Sequence, residues 1–200
     1  DGNNTITLVS LSEGTYSDCT ITVTDEAGNI SITLTITSFI VDTTAPVISG
    51  STITTPTNDN TPDFIISSSE AGTITYGGSC SSSTTSATAG TITVTLYSLS
   101  DGTYSNCTIT VTDSAGNSVT LNITSFTVAI PPTIEKVTFV TTPTNDSTPD
   151  YTFSSDEAGT ITYGGSCSSS TTSAIDGNNT ITLVSLSEGT YSDCTITVTD

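Results

Sequence analysis

Apolar and polar residues alternate along much of the chain, and Ser and Thr occupy most of the polar positions. A period of two is typical of a strand with one buried and one solvated face, and no stretch sustains the spacing of an amphipathic helix. In the middle of the chain, this pattern predicts strands over residues 47–53, 63–68, 73–80, 91–96, 104–112 and about 119–128. Their inward-facing residues are predicted to be Phe64, Ile66, Ile74, Tyr76, Ile92, Val94, Leu96, Cys107, Ile109 and Val111.

Segments with strong turn propensity separate these predicted strands. They read PTNDNTPD, SSEAG, SLSDGT and DSAGN, and their Pro, Gly, Asn, Asp and Ser residues favour tight turns. Six or seven short strands in about 87 residues favour a β-sandwich. The chain is therefore predicted to be all-β.

The sequence repeats itself with a spacing of 87 or 88 residues. TPTNDNTPD at 55–63 returns as TPTNDSTPD at 142–150, and residues 70–87 return unchanged at 157–174. This periodicity predicts a tandem array of β-sandwich domains. The predicted domains are 1–46, the C-terminal part of a repeat; 47–132, a complete repeat; and 133–200, a repeat that lacks its last strand. Because residues 1–25 are identical to residues 176–200, we expect the chain to be a segment of a longer polymer.

The charge of the chain excludes several classes of partner. The chain has 20 Asp and Glu residues and a single basic residue, Lys136, which gives a formal net charge of −19. Such a surface cannot neutralise phosphates, so nucleic acid is excluded as a partner. No run of about 18 apolar residues exists, so this segment is not expected to insert into a membrane.

Catalytic chemistry is not expected either. The chain has no His, and Lys136 is its single basic residue, so Ser and Cys nucleophiles lack a general base. No pair of carboxylates stands out from the residues that form turns. We predict that the protein is not an enzyme.

Two motifs carry a resemblance to a known family. The stretch LSDGTYSNCTITVTDSAGN at 99–117 and the linker VDTTAP at 41–46 resemble the bacterial Ig-like repeats of large surface proteins and adhesins. The resemblance implies an immunoglobulin-like sandwich, an extracellular or cell-surface location, and a structural role as the shaft of an adhesin or a surface filament. Tyr104, like Tyr16 and Tyr191, matches the corner tyrosine of such folds. Cys107 follows Tyr104 by three residues where antibody-type domains have two, which implies a bulge or a different cysteine partner.

The resemblance also implies one disulfide in each repeat. In an Ig-like sandwich the third strand ends beside the start of the sixth, so Cys80 is expected to pair with Cys107, and Cys167 with Cys194. Cys19 is expected to pair with a cysteine outside the 200 residues. Disulfides would imply export to an oxidising compartment. The alternative is a zinc site, which two cysteines per repeat and no His disfavour.

Calcium is the one cofactor for which the sequence offers ligands, and no cofactor is required by the predicted fold. Adhesin arrays that resemble this chain are stiffened by calcium at domain junctions, where a linker Asp takes part. Asp42 matches that Asp, and its predicted partners are Glu70 and Asp113. The alternative is that these acidic residues serve only to form turns. The next linker, VAIPPT at 128–133, has no Asp, so the site is not expected at every junction.

Two further properties are expected of an exposed array. Its partners would be neighbouring repeats of the same chain and other copies in a fibre. The alternative function is a repeated glycan- or protein-binding adhesive module. The sequence argues against a shared binding site, because Val184 occupies the position that Tyr97 has in the preceding repeat. Candidate N-glycosylation sequons, which also arise by chance in a chain so rich in Ser and Thr, are Asn3, Asn29, Asn106, Asn122, Asn145 and Asn178.

Overall fold

The computed structural model describes residues 2–200 and confirms the all-β class, since every regular element in that range is a strand. The chain divides into two compact units. The first comprises the residues up to Thr55 together with Thr61–Thr127, and the second comprises Pro56–Asn60 together with Val128–Asp200. Within the described residues, no helix has the length and apolar character needed to cross a membrane.

The first unit opens with four short strands arranged as two antiparallel pairs. They are β1 (Gly14–Tyr16), β2 (Thr20–Ile21), β3 (Leu34–Thr35) and β4 (Phe39–Val41). Strand β1 pairs with β4, and β2 pairs with β3. The rings of Tyr16 and Phe39 stack with their centroids 5.3 Å apart. This segment contains few buried residues, and large apolar side chains such as Ile32 and Leu34 are exposed by 91% and 63%.

The segment from Ile48 to Val128 forms a complete sandwich of two sheets. One sheet has the order β5-β6-β9 and the other the order β12-β11-β7-β8, while β10 pairs with β13. The strands are β5 (Ile48–Gly50), β6 (Asp63–Ser68), β7 (Gly72–Gly77), β8 (Ser86–Ala87), β9 (Gly90–Thr95), β10 (Gly102–Tyr104), β11 (Thr108–Thr112), β12 (Ser118–Asn122) and β13 (Phe126–Val128).

The core of this sandwich consists of the apolar residues that alternate with Thr and Ser. Side chains on β6, β9, β7 and β11 are exposed by 2% or less, namely those of Phe64, Ile66, Val94, Ile74, Ile109 and Val111. Leu96 and Cys107 are also buried, whereas Tyr76 and Ile92 are half-buried. Eight of the ten residues predicted to face inward are therefore buried and two are half-buried, because the side-chain period of a strand fixes which residues share a face.

Two strands predicted as continuous are each divided in the structure. The predicted strand over 104–112 is β10 and β11, and the predicted strand over about 119–128 is β12 and β13. The division arises because the chain changes partners: β10 pairs with β13, whereas β11 pairs with β7 and β12. Strand β8 was not predicted, since two residues are too few to display a period.

The second unit contains six strands with a related arrangement. Its sheets have the orders β14-β15-β18 and β17-β16-β19. The strands are β14 (Ile134–Thr138), β15 (Asp150–Ser155), β16 (Gly159–Gly164), β17 (Ser173–Ala174), β18 (Gly177–Thr182) and β19 (Thr195–Thr199). Phe153, Ile161, Ala174, Ile181 and Val198 form its buried core.

Candidate functional site

Each compact unit contains one of the two predicted disulfides. Cys80 and Cys107 are bonded with their Cα atoms 5.2 Å apart, and Cys167 and Cys194 are bonded with the same separation. Cys80 lies just beyond β7, and Cys107 lies one residue before β11. The bond therefore closes the ladder between these two strands at the end where β7 finishes and β11 begins. Cys19 is a half-exposed free thiol in the structure.

A glycine beside each disulfide allows the two strand ends to approach. Gly78 has φ of +74°, and a Cβ atom on it would lie 2.0 Å from the carbonyl oxygen of Asn106. Gly165 has the same φ and the same distance to the carbonyl oxygen of Asp193. Any larger residue would collide with backbone, so glycine is required for the turn that places Cys80 opposite Cys107.

The predicted corner tyrosines have the expected geometry. The hydroxyl of Tyr104 donates a hydrogen bond to the carbonyl oxygen of Ser100 at 2.9 Å. Tyr16 and Tyr191 donate equivalent bonds at 2.8 Å to the carbonyl oxygens four residues upstream. In the Ig-like sandwich, the bond from Tyr104 ties the loop that precedes β10 to the body of the sandwich.

The carboxylates of Asp42, Glu70 and Asp113 lie together in the first unit. One oxygen from each lies within 4.8 Å of those from the other two. Asp42 directly follows β4, Glu70 lies in the turn between β6 and β7, and Asp113 directly follows β11. We call this group the linker cluster. It unites the three residues that the sequence analysis named as candidate calcium ligands.

Asp113 is the most constrained member of the linker cluster. It is exposed by only 8%, and it accepts hydrogen bonds from the backbone N–H groups of Ala115 and Asn117 and from the Asn117 side chain, at 2.8–2.9 Å. Burial acts to raise the pKa of Asp113, but the hydrogen bonds from Asn117 and Ala115 outweigh it and leave that pKa lowered. Asp113 is therefore held ionised and in a fixed orientation.

Glu70 experiences the opposite electrostatic environment. Burial, together with the negative charges of Asp42, Asp113 and Glu13, raises the pKa of Glu70. Like charges at this separation repel, and a bound divalent cation would remove that repulsion. Calcium bonds to oxygen at about 2.3–2.6 Å, so carboxylate oxygens within 4.8 Å of one another are close enough to converge on one ion, and water would complete the shell.

The linker that carries Asp42 is held by a contact that the sequence analysis missed. The carboxylate of Glu13 accepts hydrogen bonds from the backbone N–H of Thr43 at 3.0 Å and from the hydroxyl of Thr44. The Thr44 hydroxyl and the Thr43 N–H lower the pKa of Glu13. The side chain of Asn117 donates to the carbonyl oxygen of Asp42 at 3.2 Å. Nothing local marks Glu13 for this role, since its partners lie 30 and 31 residues away in sequence.

All six candidate glycosylation residues are exposed. Two of them already use their amide groups. The side chain of Asn29 donates to the carboxylate of Asp25 at 2.8 Å, and that of Asn106 accepts from the backbone N–H of Ser79 at 3.1 Å. Since all six are accessible, exposure does not separate true glycosylation sites from chance sequons.

Comparison with known protein families identifies part of the chain. Residues 48–129 match the family model of the bacterial Ig-like domain. This segment is a bacterial Ig-like domain. Its limits enclose the complete sandwich from β5 to β13, so the resemblance recognised in the sequence is confirmed. No curated protein is significantly similar to the chain.

The match shows where the linker cluster lies relative to the Ig-like domain. Bacterial Ig-like domains are commonly surface-associated modules, and all-β folds of this kind are typically non-enzymatic. Asp113 and Glu70 belong to the Ig-like domain, and Asp42 belongs to the linker that precedes it. Ala129 occupies the position of Asp42 one repeat later in the sequence. The linker cluster is thus a feature of the entry to this Ig-like domain.

Proposed function

We propose that the chain is a load-bearing part of an extracellular fibre or stalk built from tandem Ig-like domains. The observation that carries the proposal is the recurrence of one strand ladder with one disulfide. Ile109 pairs with Tyr76 between β11 and β7, and Ile196 pairs with Tyr163 between β19 and β16. A chain that repeats its scaffold gains length and durability with each copy, at roughly 30–40 Å per domain for strands of this length.

The disulfides and the linker contacts also support a mechanical role. A disulfide that joins neighbouring strand ends limits how far a domain can extend under force. The contacts of Glu13 with Thr43 and Thr44 hold the linker against the segment that precedes it. Both features resist extension and bending, and neither forms a cavity for a small molecule.

Immunogold electron microscopy of intact producing cells tests this proposal. Antibodies raised against the chain are expected to label thin fibres that project from the cell surface, and labelling is expected to disappear after absorption with the purified chain. Label confined to the cell interior, or to a surface without fibres, would contradict the proposed function.

The alternative, a repeated adhesive module, has less support. Tyr97 is exposed by 54% and could contact a glycan, but Val184 occupies its position in the next repeat. A ligand that recognised the aromatic ring would therefore not find it in both repeats. Binding of the chain to a glycan array, abolished by Tyr97→Ala, would favour the adhesive module over the structural one.

We further propose that the linker cluster binds calcium and stiffens the entry to the Ig-like domain. The support is geometric: three carboxylates from three separate segments converge, and Asp113 is fixed by its hydrogen bonds. A cation shared by Asp42, Glu70 and Asp113 would bind the linker directly to the domain. Hard oxygen ligands of this kind suit calcium.

Calcium is expected to raise the thermal stability of the chain, and Glu70→Gln is expected to remove most of that effect. Free calcium at about 100 times its dissociation constant adds about 2.7 kcal/mol of stability to the folded state. In chelator, Glu70→Gln is expected to melt at or above the wild-type temperature, because it removes one of three mutually repelling charges. Calorimetry in chelator and in calcium measures both quantities.

Glu157→Gln is the matched control for this experiment. Glu157 occupies the position of Glu70 in the next repeat, where the linker has Ala129 in place of Asp42. It is expected to leave the calcium effect unchanged. Identical melting of the wild-type chain in chelator and in calcium would contradict the calcium proposal, and it would leave the proposed fibre role to be judged by microscopy.

A further inference from the structure

Strand β9 of the Ig-like domain has an open side. It is the outer strand of the sheet β5-β6-β9, and it pairs only with β6. No strand among residues 2–200 pairs with its other side. The match at 48–129 encloses the whole sandwich, so this open side belongs to the fold of the Ig-like domain. A strand with an open side presents backbone N–H and C=O groups to which another strand can bond.

The register between β6 and β9 shows which backbone groups face the open side. Leu96 donates its N–H to the carbonyl oxygen of Pro62 at 3.2 Å, so these two residues form a hydrogen-bonded pair. Such pairs alternate along antiparallel strands, and the even-numbered residues of β9 therefore bond to β6. The odd-numbered residues direct their N–H and C=O groups to the open side. They are Thr91, Thr93 and Thr95.

One end of this open side is covered by the domain itself. The hydroxyl of Ser82 donates a hydrogen bond to the carbonyl oxygen of Thr95 at 2.6 Å. Thr91 and Thr93 lie beyond this contact, and both are exposed. Their two N–H and two C=O groups form a short strand edge, which we call the β9 edge.

The β9 edge lacks the features that commonly prevent strand pairing. Natural proteins protect open strands with charged residues, Pro or β-bulges, or keep them very short. Gly90–Thr95 contains no charged residue and no Pro, and its register with β6 is continuous over six residues. By contrast, β5 and β8 have three and two residues, and β12 lies against β5.

The backbone groups of the β9 edge are complementary to those of a second copy. When two β9 strands lie antiparallel, Thr91 of each copy can stand opposite Thr93 of the other. Each of these two pairs then exchanges two hydrogen bonds, which uses every N–H and C=O of both edges. Threonine side chains would meet across the contact, as Thr110 and Thr120 do inside the domain with their hydroxyl oxygens 2.8 Å apart.

The second unit repeats this uncharged edge. Strand β18 is the outer strand of its sheet, and Asn178 and Thr180 occupy the positions of Thr91 and Thr93. Two copies of the chain repel each other, because each has a net charge of −19. Neither β9 nor β18 contains a charged residue, so these strands are places where two copies can approach with little local repulsion.

We propose that two copies of the chain associate side by side through antiparallel pairing of their β9 edges, with Thr91 opposite Thr93 of the second copy. The contact is isologous, and each further repeat with such an edge offers another pairing strand. The proposal rests on the proposed function only for its biological role, which is to bundle fibres. Its failure would leave an unbundled fibre unaffected, and a failure to find fibres by microscopy would leave the pairing measurable in solution.

Hydrogen exchange at increasing protein concentration tests the pairing residue by residue. The chain carries Cys19→Ser, which excludes disulfides through that thiol, and about 1 M salt shortens the Debye length to about 3 Å. The amides of Thr91 and Thr93 are expected to exchange about tenfold more slowly at millimolar than at micromolar concentration. The amides of Ile92 and Val94 bond to β6 and are expected to be protected at both. Exchange of Thr91 and Thr93 that is independent of concentration would overturn the proposal.

Proline on the β9 edge is expected to block the pairing. Thr93→Pro removes an N–H that does not bond to β6, and Pro is accepted on outer strands. Combined with Thr180→Pro, it is expected to weaken association in sedimentation velocity by about tenfold or more. Thr120→Pro is the matched control, because Thr120 directs its N–H away from β11 at the outer side of β12. It is expected to leave association within about twofold. Equal weakening in both cases would rule out the β9 edge as the contact.

Cysteine crosslinking tests the register and leaves the backbone intact. Residues opposite each other in a hydrogen-bonded pair have Cα atoms about 5.5 Å apart, which suits a disulfide. A mixture of Thr91→Cys and Thr93→Cys chains, each with Cys19→Ser, is expected to form the mixed dimer about fivefold faster in air than either variant forms its own dimer. Equal rates for the three dimers would contradict the proposed pairing.

Discussion

Replacement of both Cys80 and Cys107 by Ala is expected to lower the free energy of unfolding of the Ig-like domain by about 3.5 kcal/mol. The bond links residues 27 positions apart, and its loss frees that loop in the unfolded chain. The penalty is a large fraction of the stability of a small domain, which is commonly about 5–15 kcal/mol. The sandwich is expected to persist but to open more often.

Hydrogen exchange resolved by residue is the appropriate measurement, because the chain contains two compact units and need not unfold in one step. Faster exchange is expected at the amides of Ile109 and Val111 in β11. Cys19→Ser provides the control, since that thiol makes no disulfide and its replacement should leave exchange unchanged. Unaltered protection of β11 in the double variant would show that the disulfide does not stabilise the ladder.

Phe126→Ala is expected to destabilise the Ig-like domain by about 3–5 kcal/mol. Phe126 is exposed by 1%, and its ring stacks on that of Tyr104 with the centroids 5.4 Å apart. The substitution leaves a cavity beside the corner tyrosine and weakens the pairing of β13 with β10. Denaturant unfolding followed by circular dichroism and hydrogen exchange measures the loss.

Two companion variants make the Phe126 result specific. Tyr104→Phe retains the stacked ring and removes the hydrogen bond to Ser100, so it is expected to cost about 1 kcal/mol. Tyr97→Ala, at a side chain that is 54% exposed, should change stability by no more than about 0.5 kcal/mol. A Phe126→Ala effect no larger than that of Tyr97→Ala would contradict the assigned packing.

These predictions bear on a fibre in different ways. The disulfide and Phe126 set the stability of one Ig-like domain, whereas the linker cluster and the Glu13 contact set how firmly the linker is held to its neighbours. A fibre requires both the stability of each domain and a firmly held linker, and the variants described above perturb these two properties separately.

Most of the fold of the Ig-like domain could be predicted from local patterns. Alternation of Ile and Val with Thr identified the buried face of β6, β7, β9 and β11, because side-chain direction in a strand follows directly from position. The divided strands were not predicted. Residues 105–107 interrupt the pattern where β10 gives way to β11, and a change of sheet partner leaves no periodic signal.

The sequence predicted which acidic residues form the linker cluster, but not the hydrogen bonds that hold the linker in place. Asp42, Glu70 and Asp113 were named through resemblance, since a linker Asp and two acidic loops match a known kind of junction. The support from Glu13 was missed because its contacts with Thr43 and Thr44 depend on how β1 and β4 pair. Likewise, no sequence signal shows that Asn117 reaches the carbonyl oxygen of Asp42, 75 residues away in sequence.

The sequence by itself determined the all-β class and the spacing of the repeat, because each depends on short-range periodicity or on similarity between segments. The pairing of the cysteines was predicted through the resemblance to Ig-like repeats, and the structure confirms it. Only the tertiary structure decided which charged side chains meet and which hydrogen bonds hold them. Those outcomes depend on distances between segments that are remote in the chain, and such distances are set by how the sheets pack. The linker cluster and the contact between Glu13 and the linker are therefore properties of the folded chain.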